Sequence, residues 1–91
     1  MTPFDGLPGG EFVLAGIRDL DRGVASAPAL LVSIGAPRLR QLGVAIPRVE
    51  ADPEHRLYLL LHRDAPDAAH TRYNALVRRL VSFERALACA G

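Results

Sequence analysis

Hydrophobic and polar positions along the 91-residue chain follow a helical period, most clearly toward the C-terminal end. There Ala69, Tyr73, Leu76, Leu80, Phe83 and Leu87 recur at alternating steps of four and three residues, the repeat of a helix seam. Val77 and Val81 widen the seam on one side, and Ala68, Ala75, Ser82 and Ala86 form a stripe of small residues on the other. Thr71, Asn74, Arg78 and Arg85 make up the one plainly polar strip. A helix apolar around most of its circumference needs cover on more than one side, so the pattern predicts a long central helix over residues 66–88.

Three shorter helices are predicted upstream. Over residues 11–22, Val13, Ile17 and Leu20 fall at i, i+4 and i+7, and Gly23 stands where a C-terminal cap belongs. Gly16 inside this helix costs about 1 kcal/mol relative to Ala unless a neighbouring backbone approaches closely there. Ser26 is a good N-cap and Pro28 fits a first helical turn, so a second helix is predicted over 27–42, carrying Leu30, Leu31 and Ile34 inward. Pro37 lacks a backbone donor and crowds the carbonyl of Ser33, which predicts a kink or a break there. A connector follows over 44–51, with Val44, Ile46 and Val49 spaced as in an extended segment. Asp52, Pro53 and Glu54 then supply a capping carboxylate, a first-turn proline and an acid at the positive end of the helix dipole, launching a third helix over 53–63. Its Leu57, Tyr58, Leu59, Leu60 and Leu61 are apolar all round, the mark of a short helix sandwiched between others.

The expected fold is therefore all-α, a small four-helix bundle whose second helix is kinked or broken at Pro37 and whose long C-terminal helix is central. Residues 1–10, rich in Pro and Gly, read as a mobile lead-in from which Phe4 and Leu7 can reach the core; 11–91 form a single helical domain.

Composition modifies this picture only slightly. At 49% hydrophobic and 23% charged residues the chain has the makeup of a folded domain, and a net charge of +1 gives no global pull toward nucleic acid or an anionic membrane. All eleven basic residues are Arg, scattered among the acids. Cys89 stands alone, so the chain has neither an intramolecular disulfide nor a CxxC motif. With no basic segment leading into an apolar run and no apolar run of membrane-spanning length, a cytoplasmic location without a membrane partner is expected.

Candidate chemistry is sparse. His55 and His62 are seven residues apart on one helix, about 10.5 Å along its axis, too far to share an ion, and His70 has no Cys or acid at chelating spacing. No metal or cofactor is expected. Gly9 and Gly10 lead into Glu11 and not into the lysine of a phosphate loop. Arg63 and Asp64, followed by His70, make an Arg-x6-His spacing at the entrance of the last helix. This resembles the active-site motif of HEPN-type ribonucleases, all-helical dimers whose paired motifs face each other across the subunit interface. The resemblance implies that Arg63 would stabilise phosphorane charge and His70 would act in general acid or base catalysis. A DNA-binding reading rests on residues 26–42, where two helical pieces joined at Gly35 and Ala36 would imitate a helix-turn-helix, with Arg38, Arg40 and Gln41 reaching the duplex.

The reading placed first is a non-catalytic interaction or regulatory module, homodimeric or bound to a protein partner through the C-terminal helix. Its contact residues would be Ala75, Leu76, Arg79, Leu80, Ser82 and Phe83. The small stripe permits close helix approach, and Arg72 and Arg79 would meet acids at the rim.

Overall fold

Helix boundaries fall where the capping residues stand. The computed structural model describes residues 4 and 6–90, for Ala90 the backbone only, and all its regular structure is helical. Helix α1 spans Gly10–Asp21, α2 Ala27–Gln41, α3 Pro53–Asp64 and α4 Ala69–Ala90, with a 3-10 turn, Pro66–Ala68, leading into α4. The hydroxyl of Ser26 accepts the Ala29 N–H at 3.2 Å, the predicted cap of α2. Gly23 and Gly43 follow α1 and α2 with φ of 71° and 91°, the left-handed conformation that closes a helix. Asp52 occupies the N-cap of α3 but does so at φ 50°, and its carboxylate makes no capping bond. The proline and Glu54 of the first turn are left to mark that start.

Three expectations about the helices are corrected. Helix α2 runs unbroken through Pro37. The proline sits on the exposed side, while Leu30, Leu31, Val32 and Ala36 before it and Leu39 after it are buried in one core. Proline inside a helix costs about 3 kcal/mol, whereas each fully buried Leu contributes about 1.5–3 kcal/mol. Tertiary burial on both sides of Pro37 therefore outweighs the lost backbone bond. The central position also belongs to α2 and not to the C-terminal helix. α2 packs against α1, α3 and α4 and is buried along most of its length, whereas α4 fully buries Ala69, Leu80 and Phe83. The seam predicted on α4 does face inward, since Tyr73, Leu76 and Leu87 pack on the core beside those three.

Small residues let α2 take that place. A Cβ on Gly16 would collide with the carbonyl of Pro28 and lie 2.5 Å from Val32 Cγ2, so α1 crosses α2 at backbone contact. A Cβ on Gly35 would lie 2.8 Å from Leu80 Cδ2, so α4 crosses α2 nearly as closely. The close approach that would justify Gly16 is thus present. Helix α3 departs from expectation in the other direction. Only Leu57 of its apolar run is fully buried, and Tyr58 and Leu59 are 37% and 48% exposed. It is a surface helix with one buried face.

The connector between α2 and α3 is held by side chains. Ser33, buried on α2, donates to the Ala29 carbonyl at 2.9 Å and accepts the Glu50 N–H at 3.0 Å. Arg40 donates twice to the Ile46 carbonyl, at 3.0 and 2.6 Å, and Arg56 pairs with Glu50 at 3.0 Å. Val44 and Ile46 are consequently buried, while Val49 points outward. Of the N-terminal segment, Met1, Thr2, Pro3 and Asp5 lie outside the described residues, as does Gly91. Phe4 packs edge-on against Phe83 with ring centroids 5.1 Å apart, and Leu7 rests on the core.

Candidate interaction surface

α4 is 22 residues long, about 33 Å at 1.5 Å per residue, against a longest molecular dimension of 38 Å. Its inward side is taken up by the seam. At about 100° per residue the opposite side carries Thr71, Ala75, Arg78, Ser82 and Arg85, all exposed. Along this side a line through Ala75 and Ser82 has Arg72 and Arg79 on one flank and Arg78 and Arg85 on the other. Each pair is spaced seven residues apart, about 10.5 Å along the axis.

The contact residues expected from the sequence divide accordingly. Ala75, Arg79 and Ser82 are exposed and Leu76 is half-buried, while Leu80 and Phe83 are enclosed by the chain's own core. The last two therefore support the surface from beneath and are closed to a partner. Arg79 lies over the Phe12 ring, 5.9 Å from its centroid, and its aliphatic stem runs past Gly9. Arg72 donates to Asp64 at 2.8 Å across the turn from α3, an exposed pair. Arg78 and Arg85 have no ion-pair partner among the described residues.

One acid, Glu84, belongs to α4, and it faces α2 beside Gly35. Burial pushes its carboxyl above the ordinary range, and the charge of Arg38 only partly opposes that shift. At the far joint of α2 the situation is reversed. Asp19 on α1 accepts the Ser26 hydroxyl at 2.6 Å and Arg22 at 2.8 Å, and these two bonds, the Ser26 one first, hold its carboxyl below the ordinary range. Ser26 thereby caps α2 and ties it to α1 at once. On the α3 side of α4, Tyr73 lies 6.1 Å from Tyr58, which in turn stacks on His62 at 6.2 Å. Burial, with the charge of Glu54, pushes the Tyr73 phenol up.

Residues named for other chemistries have separate neighbours. Asp64 is engaged by Arg72, His70 shares a 3.1 Å hydrogen bond with Asn74, and Arg63 lines a shallow hollow with Ala25, Leu30, Arg56 and Leu59. Among the described residues no hydrogen bond or ion pair joins Arg63, Asp64 and His70 to one another. Arg38, Arg40 and Gln41 stand at the end of an unbroken α2, so the turn that a helix-turn-helix needs at Gly35 and Ala36 is absent. Arg40 is spent on Ile46, and Arg38 reaches Gln41 at 3.5 Å. No cluster of three metal-binding side chains occurs among the described residues, and no described helix is long and apolar enough to cross a membrane.

The Ser33, Arg40 and Asp19 bonds were not anticipated from the sequence. For Arg40 a signal existed, because a cation in the last turn of a helix commonly satisfies nearby carbonyls. Ser33 to Ala29 and Arg22 to Asp19 are local pairs four and three residues apart, whereas the bonds of Ser33 to Glu50 and of Asp19 to Ser26 are set by how separate elements meet, which no local pattern encodes. Compared with protein-family models, with curated proteins and with solved structures, the chain matches none.

Proposed function

We propose that the chain is a non-catalytic helical interaction module, a small four-helix bundle that docks a helix of a protein partner along the outward face of α4. The observation that carries this reading is the uncovered length of that face. The inward side of α4 is anchored by Leu80 and Phe83, so Ala75 and Ser82 are presented on a helix fixed from below. Small residues between longer ones let a second helix axis come close, and a rigid support spares a partner the entropy of ordering the site.

Site-specific photo-crosslinking in cells that make the protein tests this. A crosslinking residue at Ala75 or at Ser82 is expected to give a discrete protein adduct, whereas one at Asp21, exposed on α1, is not. The adduct's mass separates a second copy, the homodimer expected from the sequence, from a different protein. No adduct from either α4 position, or equal adducts from Asp21, would overturn the reading.

A further inference from the structure

We propose that the partner helix is acidic at its edges, an amphipathic segment carrying Glu or Asp on both sides of a narrow apolar seam, and that the arginines of α4 exclude a second copy of this chain. The inference rests on the interaction-module reading and adds the chemistry of the occupant. Its basis is the sign and spacing of the charges. Arg72 and Arg79 flank the Ala75–Ser82 line on one side, Arg78 and Arg85 on the other, and no acid of α4 shares that face, since Glu84 is turned toward α2. Seven-residue spacing on both flanks is the arrangement in which edge charges of paired helices choose their partners. If two copies packed antiparallel about the midpoint of Ala75 and Ser82, the two-fold axis would bring Arg78 beside its own symmetry mate, and Arg79 likewise. Like charges so placed repel one another and disfavour the pairing. A parallel pair would set Arg78 and Arg85 of one copy against Arg72 and Arg79 of the other, a flank on which Asp64 offsets Arg72 alone. Glu or Asp at the partner's edges turns each of these clashes into attraction.

Other polyanions fit less well. The centre of the face is Ala and Ser, without the bulky apolar side chains that an interfacial helix sinks into a bilayer. Nucleic acid would meet a chain of net charge +1 whose Glu50, Asp52, Glu54, Asp64 and Asp67 lie on and around the neighbouring α3.

The test uses the full chain and two synthetic helical peptides with the same Ala and Leu seam, one edged with Glu and the other with Lys, alongside a short DNA duplex and anionic vesicles. Binding is followed by amide chemical shifts at low salt, and self-association by light scattering. The expected result is a monomeric chain in which the Glu-edged peptide alone moves the Ala75 and Ser82 amides. That binding should weaken with salt, and Arg78→Glu with Arg85→Glu should weaken it by about tenfold or more, a loss of ~1.4 kcal/mol or more. The double variant should regain binding to the Lys-edged peptide. Circular dichroism unchanged by the two exposed substitutions shows that the fold persists. Equal binding of both peptides, tighter binding of duplex or vesicles at the same amides, or a dimer weakened by Ala75→Arg would each overturn the acidic-partner inference while leaving α4 as a docking face. A monomer whose α4 amides respond to none of the four probes would overturn the inference, and absence of crosslinks from Ala75 and Ser82 would remove the module reading itself.

Discussion

Helices α2 and α4 carry comparable amounts of apolar sequence and put it to different uses. α2 is enclosed by α1, α3 and α4, and it reaches that density by giving up side chains: Gly16 of α1 and its own Gly35 mark the two points where a neighbouring helix comes closest. α4 is longer, keeps its large residues on one side, and leaves Ala and Ser between arginines on the other. One helix is sized to be surrounded, the other to be covered once and remain open. The contrast shows that small residues have two meanings in this chain. Beneath a neighbour they set the distance between axes, and on an open face they leave room for an axis from elsewhere.

The comparison is tested most severely by truncating one residue on each helix. Leu39 of α2 is fully buried, so Leu39→Ala removes its contacts and leaves a cavity; a loss of about 2–5 kcal/mol is expected. Val81 of α4 is 37% exposed, and Val81→Ala should change stability by less than about 0.5 kcal/mol. Urea denaturation measures both. Comparable losses at the two positions would show that α4 is enclosed to the same degree as α2.

A smaller effect separates the two glycine crossings. At Gly16 a methyl group meets the backbone carbonyl of Pro28, which cannot move without shifting α2. Gly16→Ala is expected to cost about 1–3 kcal/mol, although Ala is worth about 1 kcal/mol over Gly in helix propensity. At Gly35 the nearest atoms are the ends of the Leu80 side chain, which can turn aside. Gly35→Ala should therefore cost less, and thermal denaturation of the two variants side by side gives the order. The reverse order would mean that α2 yields more readily to α1 than to α4.

Particular residues show where the sequence was legible. Ser26, Gly23, Gly43 and Pro53 mark helix ends through chemistry confined to a few neighbouring residues, and the ends lie close to where those residues predict them. The inward seam of α4 was legible for the same reason, because its period is a property of one helix. What could not be read is which helix is enclosed. Leu57 to Leu61 on α3 and Leu30 to Ala36 on α2 are both dense in apolar residues, yet Leu59 is half exposed and Val32 is fully buried. The difference lies in the small residues at the helix crossings, whose partners are distant in sequence. Pro37 misled because the local cost of proline is real while the burial that offsets it is tertiary. On the candidate surface, the spacing of Ala75 and Ser82 was readable, but the enclosure of Leu80 and Phe83 followed only from the position of α2.

The smallest expected effect, and the finest contrast between the two ends of α2, is in the pH dependence of stability. At the α1 joint, Asp19 titrates below its ordinary value of 3.8 because Ser26 and Arg22 bond its ionised form. Between the folded and the unfolded values the unfolded chain holds the extra proton, so stability rises with pH through that interval. The contribution is complete above 3.8 and is lost as pH falls through the folded value. At the α4 joint, Glu84 titrates above its ordinary value of 4.5 because burial disfavours its charge. There the folded chain holds the extra proton, and the favourable contribution, complete below 4.5, is lost as pH rises through the folded value. The two carboxylates thus tilt the stability curve in opposite directions on adjoining stretches of pH. Asp19→Asn is expected to lower the melting temperature at neutral pH and to leave it nearly unchanged in strong acid. Glu84→Gln, which keeps the shape and removes the partly buried charge, should raise the melting temperature at neutral pH and have little effect near pH 4. Melting curves of both variants from strong acid to neutrality measure this directly. A Glu84→Gln variant less stable than wild type at neutral pH would mean that the attraction of Arg38 outweighs the cost of burying the carboxylate, making the α2–α4 joint one held by charge and no longer one that tolerates it.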